Sequence, residues 1–167
     1  MLLERSEKEM DEPISAFTGE YHWLSNFARS EGLVASWQGS QHRSNAPYRF
    51  VPTVEHGYQA SKCVKLVDFD AIAGCPTPSA AKRMGRRVQL VSGWDEIKLD
   101  IMLALLRQKF SKGWFAAKLL ETGTRELIEG NTWGDTYWGV CRGSGQNHLG
   151  RLLMLVRGEL RRELQPA

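Results

Sequence analysis

Near the middle of the chain, three side chains of different chemistry are spaced to share one helical stripe. Glu55, Gln59 and Lys62 stand at i, i+4 and i+7, and at about 100° per residue they span roughly a 60° sector. A carboxylate can move protons, an amide can orient a substrate, and an amine can act as a nucleophile. The same spacing also suits a solvated face, with Glu55 meeting the helix dipole and Gln59 touching Lys62. A second concentration is Trp133-Gly-Asp135-Thr-Tyr137-Trp138-Gly139. Its aromatics and carboxylate can stack a planar base and polarise a sugar, or they can close a core hairpin around buried Trp. Gly143-Ser-Gly-Gln-Asn-His-Leu-Gly150 runs into a helix start. Such a loop offers backbone N–H groups to an anion, or is a plain turn. Arg83, Arg86 and Arg87 follow a capped turn and can hold a phosphate, although such a trio is commonly solvated.

Several elements must position these residues. Pro52-Thr53 precedes VEHGYQASKCVKLV, with Thr53 placed to cap a helix, Glu55 in its first turn and Gly57 as a weak interior position. GCPTP at 74–78 breaks the chain, and Ser79 is placed to cap a short helix, SAAKRMGRR. Ser92-Gly-Trp-Asp95 has capping-box spacing ahead of EIKLDIMLALLRQKF. There Ile97, Ile101 and Leu105 form a stripe widened by Met102, Leu106 and Phe110. A further helix is expected around Trp114–Glu121. Another follows where Leu149, Leu152, Leu153, Val156, Leu160 and Leu164 recur. Residues 125–141 are too rich in Gly and aromatics for a long helix and read as short extended pieces. Residues 14–27 read as a short strand or two leading into an irregular segment, and residues 35–50 as a hairpin or excursion with a polar tip. With no repeat and no linker, the expectation is one compact, mainly α domain with a few short strands over residues 14–164. A charged, frayed tail precedes it over residues 1–13.

Composition narrows the function classes. The chain has 167 residues, 42% hydrophobic and 25% charged, an average globular balance that excludes a disordered or fibrous chain. No stretch approaches the roughly 18 apolar residues of a membrane span, and MLLERSEKEMDEP lacks the order of a signal peptide. Cys63, Cys75 and Cys141 are far apart with no CxxC pair, which points to a reduced, cytoplasmic setting and away from zinc. The four histidines form no HExxH pair, and no Walker loop, GxGxxG or GxSxG is present, so neither metal nor cofactor is expected. The net charge is +3, and the first thirteen residues hold two basic and five acidic side chains, so the body is mildly basic. That suits a phosphorylated or nucleotide ligand better than a duplex-coating role.

The same segments, in this order, resemble the YbiA-like/NADAR family of N-glycosidases. The matching residues are Leu24-Ser-Asn-Phe27, Val54-Glu-His-Gly-Tyr-Gln-Ala-Ser-Lys62, Gly85-Arg86 and Trp94-Asp95 with Lys98 and Met102. They continue through Lys109-Phe110, Leu119-Leu-Glu-Thr-Gly123, Asp135, Trp138-Gly139 and Gly145-Gln-Asn-His-Leu-Gly150, and end with Leu153-Met154 and Arg157. Cys63, Gln146 and His148 depart from the usual pattern, and residues 35–48 have no strong match. The resemblance implies a predominantly α-helical fold that hydrolyses a ribose C1′–N bond. The implied substrate is either a phosphoribosylated small molecule of riboflavin synthesis or ADP-ribose on guanine in nucleic acid, the latter sometimes with a toxin partner. No membrane is implied. Joined to the chemistry, it nominates Lys62, Glu55 and Asp135 as catalytic. Asn26 and Gln59 would bond ribose or base, Trp94 and Trp138 would frame the base, and Asp135 and Asn147 would fix hydroxyls. Arg86 and the 143–150 loop would hold phosphate, and Phe27 and Gly139 complete the substrate-binding set. The competing expectation is a module that binds ADP-ribose or a nucleotide without cleaving it.

Overall fold

The computed structural model describes residues 12–39, 45–111 and 113–165. They fall into two compact units, one from Asn26 to Lys109 and one made of the chain up to Ser25 together with Phe110 onward. The expected tail lies outside the described residues as far as residue 11, as does the polar tip of the 35–50 excursion at residues 40–44.

In the unit from Asn26 to Lys109, the hairpin is real but begins earlier than expected. Strand β1 (Arg29–Ser36) pairs antiparallel with β2 (Tyr48–Thr53), setting Leu33 opposite Val51 and Ala35 opposite Arg49. Leu33, Ala35 and Val51 are buried, whereas Tyr48 and Phe50 are exposed. Helix α1 (Val54–Ser61) follows directly, and Thr53 caps it by accepting the His56 N–H at 3.2 Å. Helix α2 (Leu66–Ala73) was not legible in the sequence. It is eight residues long, has no side-chain cap and is fixed by burying Phe69, Ile72 and Ala73. Helix α3 (Pro78–Gly85) is capped by Thr77, not by Ser79. Pro78 carries the fixed φ of a first helical position, which moves the cap two residues upstream, and the Thr77 hydroxyl accepts the Ala80 N–H at 3.1 Å. Helix α4 (Trp94–Lys109) begins one position later than a Ser92 cap requires, so the capping box does not form. Its buried stripe is Trp94, Met102, Leu105, Leu106 and Lys109, with Ile97 and Ile101 only half-buried.

Helix α1 is the axis of this unit. All eight of its residues are buried, and it packs against β1, β2, α2, α3 and α4. Gly57, weak by propensity, is explained by that packing: a β-carbon there would lie 2.8 Å from Leu105 Cδ2.

In the other unit, residues 14–27 do not form strands. Ile14 makes a single parallel bridge to Leu127, and Gly19–Leu24 is a 3₁₀-helix. Helix α5 (Gly113–Glu121) and helix α6 (His148–Glu163) match expectation, although Leu164 lies beyond α6 and is exposed. Between them, β3 (Gly130–Asn131) and β4 (Val140–Cys141) pair in parallel as two-residue pieces. Ile14, Leu24, Phe110, Leu119, Leu127 and Leu153 are fully buried here. Arg157 is buried too, donating to the Thr122 hydroxyl at 2.7 Å and to the Arg125 carbonyl at 2.9 Å. The architecture is mainly α with a few short strands. Among the described residues no helix is long and apolar enough to cross a membrane.

Candidate functional site

The stripe on α1 is not a solvated face. Glu55 and Gln59 are each only 6% exposed, and Gln59 Nε2 donates to Glu55 Oε1 at 2.8 Å. The Glu55 N–H donates to the Asn26 carbonyl at 3.0 Å, which ties the start of α1 to the preceding loop. Lys62 is the C-cap of α1 and is half-buried. Burial pushes its amine below the ordinary lysine value; Glu55 and then Cys63 pull it back up, while Arg86 and Lys82 push it further down. The carboxylate is therefore electrostatically coupled to an amine that holds its proton less tightly than usual.

Asn26 is buried, donates to Met102 Sδ at 3.5 Å and presents an amide oxygen with no hydrogen-bond partner. Phe27 is half-buried, with Lys82 Nζ 5.7 Å from its ring centroid. Arg86 caps the end of α3 and is exposed. Trp94 does not frame an open site: it is 6% exposed and packs on Tyr58 with ring centroids 5.3 Å apart. Within this unit the fold thus gathers Glu55, Gln59, Lys62 and Arg86, with Asn26 and Phe27 on the segment leading into β1.

Asp135, Trp138, Gly139 and Asn147 belong to the unit that contains α5 and α6. Asp135 Oδ1 accepts the Tyr137 N–H at 3.1 Å and the Trp138 N–H at 2.9 Å, and the Asp135 N–H donates to Asn131 Oδ1 at 3.0 Å. That oxygen closes a turn. Asn147 is likewise a clamp: its Oδ1 accepts the Glu129 N–H at 3.0 Å and its Nδ2 donates to the Leu127 carbonyl at 2.9 Å. Gly139 is needed for close backbone approach, since a β-carbon there would lie 2.2 Å from the Glu129 carbonyl oxygen. Trp138 is half-buried, edge-on to Tyr137 with centroids 5.1 Å apart.

The 143–150 loop does not leave its main anion donors open. The N–H groups of Gln146, Asn147, His148 and Leu149 donate to the carbonyls of Thr136, Gly139, Tyr137 and Trp138. Of the two expectations for this loop, an anion-binding nest or a plain turn, the hydrogen bonds match the turn, since the Trp-Gly segment satisfies those N–H groups itself.

Three residues were missed. Lys82, one turn before Arg86 on α3, joins the cations acting on Lys62, and the i, i+4 spacing was the available signal. His56 is fully buried, its Nδ1 2.8 Å from the Thr53 hydroxyl and its Nε2 3.0 Å from the Cys75 carbonyl oxygen. Lys109 is 3% exposed, and burial pushes its amine down to about 7. No set of His, Cys, Asp and Glu able to hold a metal ion occurs among the described residues.

The NADAR domain matches residues 15–161. This chain belongs to the NADAR family. Among curated NADAR-type relatives, N-glycosidase Npun_R5314 of Nostoc punctiforme is 40% identical over 116 residues, covering 65% of this chain and 74% of that protein. The riboflavin biosynthesis protein PYRR of Zea mays, described as chloroplastic, is 36% identical over 130 residues, covering 70% of this chain but only 21% of that protein. The NMR structure of the Escherichia coli protein YbiA superposes with a TM-score of 0.73 at 32% identity, covering 92% of this chain and 87% of that one. These relatives support an N-glycosidase-type hydrolase.

Proposed function

We propose that this protein hydrolyses the bond between ribose C1′ and an exocyclic amine of a heterocyclic base, with Lys62 as nucleophile and Glu55 as acid and base. The observation that carries this reading is the pairing on one helix of a buried carboxylate with an amine lowered by burial and neighbouring cations. An i, i+7 pair spans about 10 Å along a helix, a gap that converging Glu and Lys side chains bridge to one reacting carbon.

In the reaction, the sugar ring opens as Glu55 gives its proton to O4′ and the C1′–N bond becomes an iminium. The unprotonated Lys62 amine adds to C1′. The base leaves as a free amine on breaking its C1′–N bond, taking the proton that the added Lys62 nitrogen gives up, and a protonated Lys62–C1′ Schiff base remains. Glu55, now ionised, removes a proton from water as it adds to C1′. Collapse releases the sugar aldehyde, which recloses, and regenerates Lys62. The sum is one water consumed, one amine and one hydroxyl produced.

Lys82 and Arg86, the cations beside Lys62, suit the phosphate of a phosphorylated ribose. Two substrates share this chemistry: a phosphoribosylamino-pyrimidine, in keeping with the maize relative being a riboflavin biosynthesis protein, and ADP-ribosyl guanine in nucleic acid. A toxin partner belongs to the second alone.

Incubation with each substrate followed by product separation distinguishes the arms. Borohydride should trap a sugar adduct on wild type and none on Lys62→Ala, whose turnover should fall by at least about 10³-fold. Equal trapping, or full activity in Lys62→Ala, refutes the nucleophile. Tight binding without cleavage of either substrate identifies a reader and refutes the hydrolase.

A further inference from the structure

The amide of Gln59 is held in one orientation by two different neighbours. Its nitrogen donates to Glu55 Oε1 at 2.8 Å, while its oxygen is buried and accepts no hydrogen bond. That oxygen fills the space of an absent side chain: a β-carbon on Gly85 would lie 2.1 Å from it. Turning the amide over would direct its oxygen at the Glu55 carboxylate, and an ionised carboxylate has no proton to offer it. The reversed amide is favourable only when Glu55 carries a proton.

We propose that Gln59, seated against Gly85, is a positioning residue that favours the ionised form of Glu55, the form that activates water in the second half of the reaction. The inference rests on the hydrolase reading for its purpose, but its physical content is the proton affinity of one carboxyl group. Gly85 ends α3, where alanine suits the backbone better than glycine. Its lack of a side chain is explained by the amide it accommodates. The charged or titratable groups acting on the adjoining Lys62 are Glu55 itself, Cys63, and Lys82 and Arg86 from α3. All of them persist in the variants below.

The test is a ¹³C-carboxyl NMR titration of glutamate-labelled full-length protein, with the Glu55 signal assigned by its loss in Glu55→Gln. A hydrogen bond to a charged acceptor is worth about a tenfold change in proton affinity or more. Gln59→Leu should therefore move the Glu55 titration upward by about one pH unit or more. Gly85→Ala, which evicts the amide without touching Glu55, should move it in the same direction. The double variant should move it no further than Gln59→Leu alone. In the activity profile, the acidic limb of kcat should shift upward by the same amount in both single variants. A folded Gln59→Leu protein whose Glu55 titrates as in wild type overturns the proposal, as does a folded Gly85→Ala protein with no shift. If Gly85→Ala does not fold, Gln59→Met provides the second reading under the same criterion. The titration uses no substrate, so a protein that cleaves nothing yet shows the shift refutes the hydrolase and leaves the positioning role intact.

Discussion

His56 links the first turn of α1 to the segment after α2, and its hydrogen bonds leave its neutral form one tautomer. The Cys75 carbonyl can only accept, so Nε2 carries a proton; in the neutral ring Nδ1 then receives the Thr53 hydroxyl proton, while that oxygen accepts the His56 N–H. The imidazole is neutral, and burial holds it below its ordinary value of 6.5, partly opposed by the bond to Cys75. Replacing it by leucine leaves a carbonyl and a hydroxyl without their partner. At about 1–3 kcal/mol for a stranded buried group, with the hydroxyl free to rotate, the loss should be about 2–4 kcal/mol. For a chain of this size that is a Tm lower by about 5–15 °C. The sign of the pH dependence follows from the lowered pKa. As pH falls through 6.5 the unfolded chain takes up a proton that the folded protein refuses, so this contribution is full above 6.5 and declines below it. His56→Leu lacks that component. Urea denaturation at pH 8.0 and pH 5.5 should thus show a wide gap between wild type and variant at the higher pH and a narrower one at the lower. A gap that is equal or wider at pH 5.5, or a loss below about 0.5 kcal/mol at pH 8, refutes the single-tautomer argument.

Two further outcomes test other parts of the fold. Lys109, pushed down to about 7 by burial against 10.5 in an unfolded chain, makes wild-type stability rise with pH above 7, because the unfolded state binds the extra proton there. Between pH 7 and 9.5 the rise is at most about 3 kcal/mol, and Lys109→Met should abolish it in urea titrations; an unchanged slope assigns it elsewhere. Gly139→Ala would place a β-carbon 2.2 Å from the Glu129 carbonyl oxygen and 2.8 Å from Asn131 Nδ2, costing about 2 kcal/mol or more. A melting curve should register that loss, whereas a raised KM at unchanged Tm would restore Gly139 to the substrate-binding set.

Helices α1, α4, α5 and α6 were legible because caps and apolar spacing are local properties of the chain. Helix α2 was not: eight residues without a cap carry little local signal, and Phe69 and Ile72 hold it only through contacts made elsewhere. The Glu55–Gln59–Lys62 stripe was found by spacing, yet spacing said nothing of burial. A polar stripe reads alike in sequence whether water or protein covers it, and here five packed elements enclose α1. The aromatic-acidic segment stayed open to two readings for the opposite reason. Asp135 and Asn147 have the chemistry of a site, but their short side chains reach backbone N–H and C=O groups first. Trp94 shows the same limit, since an indole that stacks on Tyr58 in the core cannot be told from one awaiting a base.

Burial of these polar residues bears on function independently of any relative. A carboxylate taken out of water costs several kcal/mol, and replacing a buried charged set by apolar side chains of similar volume is often neutral or stabilising. Glu55 is one of eight buried residues on the helix that forms the axis of a packed unit. Thr53, His56 and Asn26 do secure the start of α1, and apolar residues with a simple cap could do the same. Stability therefore does not explain why a carboxyl group sits there with an amide turned toward it and an amine lowered beside it. The proposed proton transfer would, because a group that must change charge during turnover is useful only where water does not level its proton affinity.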